Sequence, residues 1–268
     1  MNLYLVGFVF VVLSTVLSVI GMLVVRKKVG VSFLSTNHEV AGYLLSIIGT
    51  LYAVLLGFVV VDAMEKQEEL RLIVEKEASG VANIFLSANG ILNIEDRKKV
   101  QNCCYQYAVA VINEEWPAME RGTYSPTAFK HAWSLWKAIT TLKTSNDDER
   151  VIKDILLSEI GEMTENHRTR LVAAKLGMAP IMWVVLIVGG VFTVLFTYFF
   201  AVESLKAHII MTVLVAMTLS LNGVLVFIFA NPISGDIGVK PDAFKQDLMI
   251  FQNFEKGEIL PDQPLPSR

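Results

Sequence analysis

From Asn37 to about Asn89 runs a single helical pattern without a proline, and no other stretch limits the fold as much. Thr36 or Asn37 offers a cap, and Glu39 places negative charge in the first turn, where the helix dipole favours it. Val40 to Val61 is almost wholly apolar and long enough to cross roughly 30 Å of hydrocarbon as a helix. From Asp62 the chain turns polar without a break, keeping an apolar stripe at Leu70, Val74, Ala78, Val81, Phe85 and Ala88. At about 1.5 Å per residue the whole helix would run about 75 Å, half in lipid and half outside.

The apolar half has distinct faces. Gly42, Ser46, Gly49, Ala53 and Gly57 form a small-residue stripe on which a neighbouring helix is expected to pack closely. Leu44, Ile47, Leu51, Val54, Phe58 and Val61 make a bulky row, and Leu45, Ile48, Tyr52, Leu55, Val59 and Asp62 a third. The bulky rows either face lipid, or one of them lines an apolar constriction around a symmetry axis that ends in a ring of Asp62 at the water interface.

Composition agrees with a polytopic membrane protein: 53% of residues are hydrophobic and the mean hydropathy is +0.51. Four windows qualify as spans: Leu3 to Val25, Tyr43 to Val61, Pro180 to Val202, and Ile209 to Ala230. The first lacks a charged n-region and a cleavage site and reads as a retained anchor. The expected organisation is 1–61 with two membrane helices, 62–178 as a helical domain outside the bilayer, 179–230 with two more spans, and a tail at 231–268. Arg26, Lys27, Lys28 and Lys206 mark one side of the membrane, against Lys66, Arg71, Lys76, Arg168, Arg170, Lys175, Lys240 and Lys245 on the other. A multi-pass protein of a bacterial inner or cell membrane is expected, and that excess places both termini and the large domain in the cytoplasm.

The middle segment reads as helices throughout. Asn93 with Asp96 resembles a capping box before a face of Val100, Cys103, Cys104, Tyr107, Ala108 and Val111, which runs up to Pro117. Ser125–Pro126 starts a helix whose expected apolar face is Phe129, Trp133, Trp136 and Ile139. Asn146 and Asp147 start another, carrying Ile152, Ile155, Leu156, Ile160, Met163, His167, Leu171 and Ala174. Tyr198, Phe199 and Phe200 form an expected aromatic belt, and Asn222, inside the last span, is expected to bond across helices. A short amphipathic helix with Phe244, Leu248, Phe251 and Phe254 on one side follows, and Pro261 to Arg268 is expected to be disordered.

Chemical signatures of an enzyme are missing from the sequence. It holds no phosphate-binding loop, nucleotide fingerprint, HExxH or GxSxG motif, and its four histidines have no metal-ligand spacing. The only two cysteines, Cys103 and Cys104, are adjacent and read as small core residues. A net charge of -3 without a basic stripe argues against nucleic acid as a partner. No cofactor or metal is expected. The expected partners are the lipid bilayer, inorganic ions and further copies of the chain.

The run GTLYAVLLGFVVVDAMEKQEELRLIVEKEASGVANIF from Gly49, NEEWPAM at Asn113 to Met119, ENHRTRL and GMAPIMW around the start of the third span, and NPISGDIGVKPDAF together resemble the DUF4239 family, which is described as bestrophin-like. The likeness covers about 37 to 244. It implies an all-α protein with four transmembrane helices, the second extending into a cytosolic helical domain. It also implies a homo-oligomeric anion channel, usually a pentamer, with its pore on the second membrane helix. By that likeness Leu51, Leu55, Phe58, Val59, Asp62 and Glu65 are the neck and mouth candidates. The chain departs from bestrophins proper in having DAMEKQEE where they carry an RWWE-type stretch, and no acidic cluster resembles their calcium clasp. Calcium gating is therefore not implied. Two other channel-free or reversed readings stand beside this one. Carboxylates at Asp62 and Glu65 would favour cations, and a membrane-anchored scaffold or sensor would bind a protein through Trp133, Trp136 and the Phe244 to Phe254 face. A transporter has less behind it, because no charged residue lies at mid-span to hold a coupling ion.

Overall fold

The computed structural model describes residues 3–29, 38–175, 177–200, 204–233, 235 and 237–255. Thr36, Asn37 and the 261–268 tail, named above as a cap and a disordered end, lie outside the described residues. Every regular element among the described residues is helical. They are α1 (Leu3–Val29), α2 (His38–Ser87), α3 (Ile94–Ala110), α4 (Trp116–Glu120), α5 (Thr127–Thr140), α6 (Asp147–Ala173), α7 (Pro180–Tyr198), α8 (Leu205–Phe229) and α9 (Asp242–Glu255). A 3-10 turn at Ala88–Gly90 follows α2, and a π-turn at Val111–Glu115 joins α3 to α4. Four of these helices are long and apolar enough to cross a membrane: α1, α2, α7 and α8.

The chain divides into two compact units. One comprises 1–67 and 176–238, the other 68–175 and 239–268, and α2 contributes to both. In the first unit α1 packs on α8, where the Ser14 and Ser220 hydroxyls lie 2.6 Å apart. His208, buried at the start of α8, donates from Nε2 to the Thr197 carbonyl at 3.1 Å and lies 3.3 Å from Arg26 through Nδ1. Its apolar core gathers Leu56, Val59, Met178, Leu186 and Val226. Asn222 does not reach across helices as expected. Its amide donates to the Thr218 carbonyl of its own turn at 2.9 Å, which satisfies the group without a partner helix. Tyr198, expected in the aromatic belt, is buried and its ring lies over Gly21 of α1.

In the second unit the start signals act as expected. Asn93 Oδ1 accepts from the Glu95 and Asp96 amides at 2.9 and 3.1 Å, and Asn146 Oδ1 from the Glu149 amide at 2.7 Å. Pro117 does not end the helix that contains Tyr107. Its ring would strike the carbonyl four residues back, and the backbone widens into the π-turn just before it, so the chain continues as α4. The buried face of α5 is also rotated from the expected one. Ala128, Ala132, Leu135, Ala138 and Ile139 face inward, whereas Phe129 and Trp133 are exposed.

Candidate functional site

The membrane half of α2 presents four sides. Tyr52, Leu56, Val59 and Ala63 are buried against the rest of their unit. Tyr52 anchors that side: its hydroxyl donates to the Leu186 carbonyl of α7 at 2.8 Å, its ring fills the space that a Cβ on Gly189 would occupy, and its hydroxyl would lie 3.2 Å from a Cβ on Gly190. The close helix approach within the chain is therefore made by glycines of α7, not by the stripe on α2. Around a helix of about 100° per residue, Val54, Phe58 and Val61 point away from the buried side. Phe58 is 72% exposed and Leu51 67%.

The two flanks differ. On one, Leu51, Leu55, Phe58, Val59, Asp62 and Glu65 all border an open groove of about 780 Å3, whose far wall is Ile181, Met182 and Val185 of α7. The structure thus brings all six residues proposed from the sequence to one place, although they are not equivalent: Val59 is only 5% exposed and forms the floor, while Leu51 and Phe58 form the rim. The wall on α7 had no sequence signal, because nothing in an apolar span tells which turn will face a helix over a hundred residues away. On the other flank Gly42, Ser46, Gly49, Ala53 and Gly57 stay uncovered over most of their length. A Cβ added at Gly49 or Gly57 would meet no atom within 4 Å, and one at Gly42 would touch only the Phe200 ring at 3.6 Å.

At the polar end of the groove the charges are partly compensated. Lys66 Nζ lies 2.7 Å from Asp62 Oδ2 across one helical turn, leaving Glu65 as the carboxylate with no ion-pair partner among the described residues. At the next residue, Gln67 Nε2 donates to the Ile237 carbonyl at 2.7 Å.

A model of the bestrophin-like domain matches residues 12–244 of this chain. The chain belongs to the bestrophin-like domain family. No curated protein matches its sequence. Among solved structures, a bacterial bestrophin homologue from Klebsiella pneumoniae, in a single-substitution form, is similar with a TM-score of 0.68 and 12% identity, covering 92% of this chain and 99% of that one. A second variant of a Klebsiella pneumoniae homologue gives 0.66 and 13%, covering 89% and 99%. A structure described as a membrane protein gives 0.65 and 13%, covering 94% and 99%. At such identities the likeness speaks for the fold.

This bestrophin-like chain holds a second concentration of charge, in the other unit, that sequence spacing had not revealed. Arg170 of α6 is wholly buried. It donates from Nε and Nη2 to Glu77 of α2 at 2.6 and 3.0 Å, and from Nη2 to Glu115 of the π-turn at 2.5 Å. Its guanidinium also lies over the Trp116 ring, 5.4 Å from the centroid. His167 Nε2 is 3.0 and 3.1 Å from the two Glu115 oxygens, and the Tyr107 hydroxyl donates to Glu77 at 2.7 Å. Burial alone would raise the Glu115 pKa, but His167 and Arg170 outweigh it and hold the carboxyl below its ordinary range. Burial pulls the other way on Arg170, and Glu77 and Glu115 outweigh that too, so the guanidinium stays charged. With Glu77, Glu115 and Arg170 all sealed from solvent, the cluster locks three segments together and offers no surface to a substrate. His167 was expected only as part of an apolar face, and Arg170 only as a charge near the membrane. Arg170 accordingly leaves the tally of charges that orient the chain.

Proposed function

We propose that the chain forms a homo-oligomeric ion channel whose pore is lined by the membrane half of α2, passing anions such as chloride. The observation that carries this reading is the exposed bulky side of α2, Leu51, Val54, Phe58 and Val61, which runs without a break into a charged helix. A soluble or lipid-facing role asks for no such continuity, whereas a pore needs an apolar constriction opening into a hydrated vestibule. The flanks of α2 support assembly. A groove on one side and an uncovered small-residue stripe on the other suit a head-to-tail repeat, in which each copy's stripe seats against the next copy's groove. Such a heterologous contact closes into a ring when the rotation allows, and five copies are favoured by the bestrophin likeness. DUF4239 membership and a cytoplasmic location for the termini and the polar unit belong to the same reading. Lys66, Arg71, Lys76, Arg168, Lys175, Lys240 and Lys245 support that orientation.

Neutralisation of Asp62 by Lys66 removes one obstacle to anions at the mouth. The unpaired Glu65 favours the opposite sign, and a cation-selective channel is the second reading. Purified protein in a planar bilayer under a potassium chloride gradient separates them. The expected reversal potential lies near the chloride equilibrium value. A value near that of potassium overturns anion selectivity and makes Glu65 the first residue to replace. Absence of current from folded, oligomeric protein overturns the channel in favour of a scaffold, with Phe129 and Trp133 as its exposed anchors.

A further inference from the structure

The helix α9 carries a residue that does not belong on its docking side. Phe244 and Phe251 are buried and fasten α9 to the second unit. The Phe251 ring stacks on Phe85 of α2 at 4.1 Å, and the Phe244 ring meets Tyr107 of α3 at 6.4 Å. Between them on the same side of the helix sits Asp247, 8% exposed, with an Oδ2 that is sealed from solvent and has no hydrogen-bond partner. A buried carboxylate without a partner is costly as an anion and tolerable as the neutral acid.

The groups around it do not supply a cation. On α3 the buried titratable side chains are Cys104 and Tyr107, both of which burial keeps protonated. Cys103 is half-buried, Tyr105 meets Gln252 at the edge, and Lys98 and Lys99 are exposed. The half-buried Arg97 of α3 is held by the Ile91 carbonyl, Glu114 of the π-turn and Lys76 of α2 are exposed, and Glu115 and Glu77 are paired within the buried cluster. Arg170, behind them, is held by Glu77 and Glu115. On α9 itself Lys245 pairs with Asp242 at 2.9 Å.

We propose that α9 is a proton-operated strap, docked across Phe85 and Tyr107 while Asp247 is protonated and loosened when Asp247 ionises. Burial pushes the Asp247 carboxyl up to about 7, which puts the transition near neutral pH. For an acid whose folded pKa is raised, docking is strongest at low pH and weakens as pH rises towards and through that value.

Hydrogen exchange of the full-length protein in detergent micelles, corrected for the intrinsic pH dependence of exchange, tests this on peptides spanning 242–255. Protection of α9 is expected to fall about tenfold between pH 6 and pH 8, with Asp247→Asn protected equally at both. Equal protection of the wild type at the two pH values overturns the proposal. So does a fall that persists unchanged in Asp247→Asn, since the titrating group would then lie elsewhere.

Discussion

Arg170 bears heavily on the second unit, because its buried guanidinium bridges two buried carboxylates, Glu77 and Glu115. Removing one member of a sealed ion network leaves uncompensated charge, at a cost of about 3–5 kcal/mol. Arg170→Ala is therefore expected to lower the denaturation free energy of the detergent-solubilised protein by that amount, and a loss of under about 1 kcal/mol would contradict it. Glu115 adds a pH dependence of known sign. Its folded pKa is depressed, so its contribution is present above the unfolded carboxyl value of about 4.3 and is lost as pH falls through the folded value. Stability measured from pH 6 downward should drop more steeply in the wild type than in Glu115→Gln, and parallel acid limbs would contradict the account. Glu77, Glu115 and Arg170 were not legible as a cluster because they come from segments 93 and 55 positions apart, and a charged residue near a span reads first as a headgroup contact. Asp247 was hidden by the aromatic pattern around it.

At the scale of elements, α2 was legible almost to its last turn, since one long apolar run and one continuing stripe admit few alternatives. The caps at Asn93 and Asn146 were equally plain, because they depend on residues a few positions apart. What escaped was orientation. In α5 the bulk of Phe129 and Trp133 drew the reading outward; Ile139 faces inward as expected, but beside it and Leu135 the inward side is built from three alanines, whose burial follows from close packing and leaves little hydropathy signal. The π-turn had no local mark beyond Pro117. Nor did the contact of Tyr52 with Gly189, which fixes α7 against α2 and needs that glycine to lack a Cβ. Gly189→Ala drives a methyl into the Tyr52 ring, and overpacking of this kind costs about 1–3 kcal/mol. A lower unfolding temperature in detergent is expected, with Tyr52→Ala in the same chain relieving the collision. An unchanged temperature for the single variant would contradict this packing.

At the scale of the whole molecule, the two units and the α2 helix that runs through both matter to function only if several copies meet around that helix. Here the open flank gives a clean test. A Cβ at Gly57 meets no atom within 4 Å among the described residues, and leaving glycine behind in a helix is worth up to about 1 kcal/mol in propensity. Gly57→Leu is thus expected to fold as well as the wild type yet break the assembly, seen as a smaller particle by light scattering after size-exclusion chromatography. An unchanged particle mass would show that this flank is not an interface. The proposed assembly has only an uncovered stripe as its mark in the sequence, because an interface between copies has no partner residues within one sequence.

Whether α2 lines the conducting path at Phe58 is decided by the single-channel conductance of Phe58→Ala in a planar bilayer. Shortening the most exposed bulky side chain of that face should widen and wet the constriction and raise conductance by about twofold or more. Conductance equal to the wild type, in a variant that is folded, assembled and conducting, would take α2 out of the pore.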